Sequence, residues 1–160
     1  MTGSEAKHGV GRILAGVAIC SALALAAGTA AAVEPVNTTF FSGLALEGYD
    51  PVAYFFEGEA VEGDEDFEHS WQGATWRFSS EANLQRFMAS PARFAPQFGG
   101  YCAYGVSVGV AVDIDPDAWK IVDDKLYLNL SKRSMKLWEQ NVQLNIRKGR
   151  VNWPRLLNQG

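Results

Sequence analysis

From residue 44 onward the apolar positions change period several times, and each change marks an element. Residues 74–78 alternate, with Ala74, Trp76 and Phe78 on one side and Thr75 and Arg77 on the other, as in a half-buried strand. Residues 67–71 form its partner across the tight turn Gln72-Gly73. The spacing then becomes helical: Leu84, Phe87 and Met88 form a stripe, and Ser79-Ser80-Glu81 places a capping hydroxyl ahead of it. Ser90-Pro91 ends that helix and begins a shorter one bearing Phe94 and Phe98, which Gly99-Gly100 breaks. Residues 119–122 and 125–128 form a second hairpin, turned by Asp123-Asp124. Ser131 caps a long C-terminal helix with Met135, Trp138, Val142 and Ile146 on one face. Gly149 stops it, and Trp153-Pro154 opens a last short helix or turn.

Two stretches lack a clean period. Residues 52–56 are aromatic and β-branched and are expected to be a strand after the turn of residues 44–51. Residues 101–110 fit either a turn of helix or an irregular buried loop. Strand pairs and helices alternate without a strand-helix-strand rhythm. The expected fold is therefore α+β: a small antiparallel sheet with hairpins packed against several helices.

The first 32 residues have a different character. Lys7, His8 and Arg12 precede an uncharged apolar run from residue 13 to 27, and Ala30-Ala31-Ala32 offers a cleavage site before Val33. This reads as a signal peptide, with a retained membrane anchor as the alternative. The run is shorter than the roughly 20 apolar residues a span needs, and Glu34-Pro35 follows it. Cys20 lies inside the apolar run behind Ile19, which does not suit lipid attachment, and is expected to be removed with the signal. The expected organisation is a signal over residues 1–32, an extended segment over 33–43 and one domain over 44–160. Its location would be periplasmic or secreted, without membrane insertion after cleavage.

Removing Lys7, Arg12 and Glu5 leaves a formal charge of about five negative. Seven carboxylates fall between Glu57 and Glu68 with no base among them, while bases prevail from Lys120 to Arg155. The acidic run reads as a solvated loop, because it lacks the alternating spacing and bend glycine of a calcium loop. The bases are spread out and not interleaved with stacking aromatics, so no nucleic-acid partner is expected.

With the signal removed, Cys102 is the one thiol and His69 the one histidine. One reading makes Cys102 a small buried hydrophobe beside a glycine turn. The alternative is a nucleophilic thiol with His69 as base and Asp50 orienting the imidazole. A second alternative is a divalent metal held by His69, Cys102 and Asp50. Tyr49, Tyr54, Tyr101 and Tyr104 flank turns. They are either core rings with bonded hydroxyls or the walls of a small-molecule cleft.

Four blocks resemble the YHS domain family, in its exported single-domain branch. They are Gly48-Tyr49-Asp50-Pro51-Val52-Ala53-Tyr54-Phe55, then Trp71-Gln72-Gly73-Ala74-Thr75-Trp76-Arg77-Phe78, then Phe94-Ala95-Pro96-Gln97-Phe98-Gly99-Gly100-Tyr101-Cys102-Ala103, and last Asp115-Pro116-Asp117-Ala118-Trp119 with Leu126-Tyr127-Leu128-Asn129. The resemblance implies an α+β domain over nearly the whole mature chain. Metal-associated members resemble Asp-Pro-Val-Cys followed by Phe-Cys-Ser-x-x-Cys. Here Ala53, Ser79 and Asn83 stand at the cysteine positions, so no metal and no other cofactor is carried over. The function expected is a non-catalytic binding or accessory module for a small molecule or protein. Its ligand site would include Tyr49, Asp50, Tyr54, Tyr101 and Cys102, where the first and third blocks would meet. The alternatives remain a thiol-dependent enzyme or redox protein using Cys102 with His69, and a metal-handling protein.

Overall fold

Two hairpins frame the molecule, each closed by a turn whose two central residues take positive φ. The computed structural model describes residues 33–158; the signal-peptide reading and Cys20 lie outside them. Strand β1 (Asp64–Trp71) pairs antiparallel with β2 (Ala74–Phe78), with His69 opposite Trp76 and a register irregularity between Asp64 and Glu68. Gln72 and Gly73 turn it at φ 51° and 78°. Strand β3 (Asp115–Val122) pairs with β4 (Lys125–Asn129) through Asp123 and Asp124 at φ 51° and 56°. Such left-handed pairs match the twist of the flanking strands, and short polar side chains tolerate them. The fold is α+β as expected, with each hairpin forming its own two-stranded sheet.

Among the described residues six α-helices surround the hairpins: α1 (Ala53–Phe56), α2 (Glu81–Ala89), α3 (Pro91–Phe94), α4 (Ala103–Ser107), α5 (Lys132–Glu139) and α6 (Val142–Leu157). Among the described residues no helix is long and apolar enough to cross a membrane. Ser80 caps α2 by accepting from the Asn83 N–H. Ser131 and Ser134 form a reciprocal capping box at α5.

Four sequence expectations are corrected. Residues 52–56 form helix α1 and a lead-in residue, not a strand, because Asp50 Oδ1 accepts the Val52 and Ala53 N–H groups at 2.7 and 3.3 Å and so starts a helical turn. The single long helix after Ser131 is two, since Asn141 leaves the helical region and caps α6 through the Leu144 N–H. Gly149 and Pro154 both lie inside α6. Pro154 sits in its last turn, so the lost N–H bond and the crowding of its ring disturb only the end of the helix. A Cβ at residue 149 would lie 2.5 Å from Phe98 Cζ, so Gly149 is a packing residue and not a stop.

Strand β4 separates two apolar clusters. Leu126 and Leu128 face Trp76, Phe78, Phe87 and Tyr54, while Tyr127 faces Phe98, Trp138, Ile146 and Leu156. Its alternation is invisible as a hydrophobic pattern because both faces are buried. Each fully buried large apolar side chain contributes roughly 1.5–3 kcal/mol, so a short strand serving both clusters ties them into one unit.

Candidate functional site

Asp50 is fully buried, and its neighbours account for its carboxylate. Oδ1 accepts the two N–H groups that begin α1. Oδ2 accepts from the Ser79 N–H at 2.8 Å, the Ser79 hydroxyl at 2.7 Å and Asn83 Nδ2 at 2.7 Å. Arg86 donates to Asn83 Oδ1 at 2.7 Å, which fixes which way that amide points. Ala53, Ser79 and Asn83 thus lie around one carboxylate. A buried carboxylate is tolerable only when donors converge on it, and here five do.

Cys102 is 1% exposed and caps α4. Its sulfur accepts the Gly105 N–H at 3.4 Å, and its S–H points to Asn129 Oδ1 at 3.8 Å. Asn129 Oδ1 also accepts the Tyr104 N–H at 3.2 Å. His69 sits on β1 with its ring edge toward Phe87, centroids 6.4 Å apart. Neither the sulfur nor the Asp50 carboxylate hydrogen-bonds to His69 among the described residues. The thiol, imidazole and carboxylate do not form a triad. Among those residues, no group of three His, Cys, Asp or Glu side chains converges to hold a metal ion.

The tyrosines have separate environments. Tyr54 is buried, donates to the Pro116 carbonyl at 3.1 Å and meets Trp119 edge-on. Burial first, then Asp117 and Tyr49, push its hydroxyl pKa well above the usual tyrosine value. Tyr49 is half-buried and reaches Glu62 at 3.5 Å. Tyr101 packs on Trp153, with its pKa raised by burial and then by Glu34 and Asp113. The expected site residues Tyr49, Asp50, Tyr54, Tyr101 and Cys102 line none of the three hollows described next.

A cleft of about 330 Å³ opens between the N-terminal segment, the β1–β2 turn, α3 and the end of α6. Trp71, Trp76 and Trp153 supply aromatic walls, Pro35 and Pro96 add flat apolar faces, and Gln72 and Gln97 contribute amides. Among the described residues no ionisable side chain lines it. Trp76 is held by donating its indole N–H to the Trp71 carbonyl at 3.0 Å. The Pro35 wall depends on Gly99, which adopts φ 60° where a Cβ would strike the Pro35 carbonyl, while the Asn37 N–H bonds the Gly99 carbonyl at 2.8 Å. Sequence reasoning missed this cleft because its walls come from four distant segments; Gly99 in the tight turn was the one local sign of a close backbone approach.

Two other hollows are more open or more polar. One of about 490 Å³ lies between α4 and α6, bordered by Val108, Val151, Arg147 and Lys148. Another of about 260 Å³ lies between Phe40, Glu47 and Asp113. Burial and then Asp113 and Asp115 raise the Glu47 pKa. Against this geometry, neither a family model, a curated protein nor a solved structure matches the chain.

Proposed function

We propose that this chain is an exported accessory domain of the YHS type that binds an uncharged, flat ligand in the tryptophan cleft. The observation carrying this reading is the cleft itself: three indoles and two prolines around two amides, with no charge. Aromatic faces favour planar or ring-shaped ligands, and a few amides orient them without demanding an ionic partner. Two of the side chains that could have served chemistry are committed elsewhere. Asp50 organises backbone, and Cys102 caps a helix beneath the surface. Export rests on the basic, apolar and small-residue succession of residues 1–32.

Native mass spectrometry of the protein isolated from the cells that produce it tests this reading. The expected spectrum carries a neutral organic adduct that is lost in Ala92→Trp, which adds bulk at an exposed cleft position. A bare protein, a metal adduct, or an organic adduct indifferent to Ala92→Trp would contradict it.

A further inference from the structure

The most exposed aromatic side chains in the described molecule are Phe40 and Phe41, at 93% and 97%, their rings edge-to-face at 5.0 Å. They stand on a bonded turn. The Gly43 N–H reaches the Thr39 carbonyl at 2.9 Å, the Thr39 N–H reaches the Leu44 carbonyl at 3.0 Å, and the Leu44 N–H reaches Thr39 Oγ1 at 3.0 Å. Phe40 shares a hollow with the carboxylates of Glu47 and Asp113. The turn therefore presents an apolar knob with an acidic flank.

The complement lies elsewhere on the same chain. The hollow between α4 and α6 is bordered by Val108 and Val151, 58% and 56% exposed, and by Arg147 and Lys148. Its shape is fixed, because Asn152 Nδ2 donates to the Val106 and Ser107 carbonyls at 3.0 and 3.1 Å and clamps the end of α4 to α6. The Val108 N–H returns to the Gly105 carbonyl at 3.0 Å and the Gly109 N–H to Val106 at 3.1 Å. Among the described residues neither Arg147 nor Lys148 pairs with a carboxylate. About 490 Å³ is room for two phenyl rings, and the cations suit acidic flanks.

We infer that the Phe40-Phe41 knob docks into the Val108/Val151 hollow of a second copy, with Glu47 and Asp113 facing Arg147 and Lys148. The contact joins two different surfaces, so it propagates head to tail unless the rotation closes a ring. Salt weakens it through the ion pairs, and the buried rings keep part of it.

Sedimentation of the full chain across a concentration series tests this. The expected result is concentration-dependent association, reduced at least about tenfold by Phe40→Ser with Phe41→Ser and, separately, by Arg147→Glu with Lys148→Glu. All four residues are exposed, so circular dichroism is expected to show both variants folded. Mixing them is decisive: one retains the knob and the other the hollow, so the mixture forms one-to-one heterodimers and stops there. A monomer at every concentration up to roughly a millimolar would overturn the inference. So would association untouched by either pair of substitutions, variants whose mixture stays monomeric, or a knob that acts only by binding lipid vesicles.

Discussion

Asp50 shows how one side chain can look like chemistry and serve architecture. Its carboxylate gathers five donors, from Val52 and Ala53 at the start of α1, from Ser79 ahead of α2 and from Asn83 in the first turn of α2, joining segments 29 and 33 residues apart. Asp50→Ala leaves those buried donors without an acceptor and is expected to cost at least about 3 kcal/mol in urea unfolding. Tyr54 acts similarly through its hydroxyl, and Tyr54→Phe is expected to cost about 1 kcal/mol by losing the Pro116 bond. Its raised pKa has a definite sign. The folded state holds the proton more tightly than the unfolded chain, so this contribution is intact below about pH 10 and lost as pH rises further. Urea midpoints measured into the alkaline range therefore fall above about pH 10, less steeply in Tyr54→Phe. The residue types at these positions were legible in the sequence. Their partners were not, because Ser79, Asn83 and Asn129 reach Asp50 and Cys102 only through tertiary approach.

At the scale of elements, local signals worked where the element answers to its own neighbours. Both hairpin turns, the Ser80 cap and the Ser131 cap were legible because each depends on a few adjacent residues. Residues 52–56 misled because aromatic content reports burial as well as strand preference, and an upstream carboxylate decided for helix. Gly149 misled for a related reason: it sits inside α6 to admit the Phe98 ring, which also meets Tyr127 and Trp153. Gly149→Ala separates these effects. Helix propensity alone favours alanine by about 1 kcal/mol, yet the blocked ring is expected to give a net loss of about 1–3 kcal/mol in thermal or urea unfolding. Cys102 at the start of α4 gives a kinetic counterpart. With a thiol reagent in enough excess to outpace reclosing, its labelling is expected to follow the opening rate, since the sulfur is sealed in the native state.

At the scale of the whole molecule, the thiol and the cleft compete for the role of functional centre. The Gly99–Gly105 run drew notice through its cysteine, yet Gly99 is the residue that helps shape a cleft, by letting Pro35 approach. The cleft was illegible in one dimension because the β1–β2 hairpin brings Trp71 to Trp76, but only tertiary packing sets Pro35, Pro96 and Trp153 beside them. The five tryptophans supply a built-in readout: three line the cleft, while Trp119 and Trp138 lie outside it. The most direct test follows their indole N–H resonances while indole, maltose and a capped proline peptide are each titrated in. The account predicts that at least one of these uncharged probes shifts Trp71, Trp76 and Trp153 while leaving Trp119 and Trp138 in place, and that Ala92→Trp abolishes the response. Shifts confined to Trp119 and Trp138, or no shift with any probe, would contradict it.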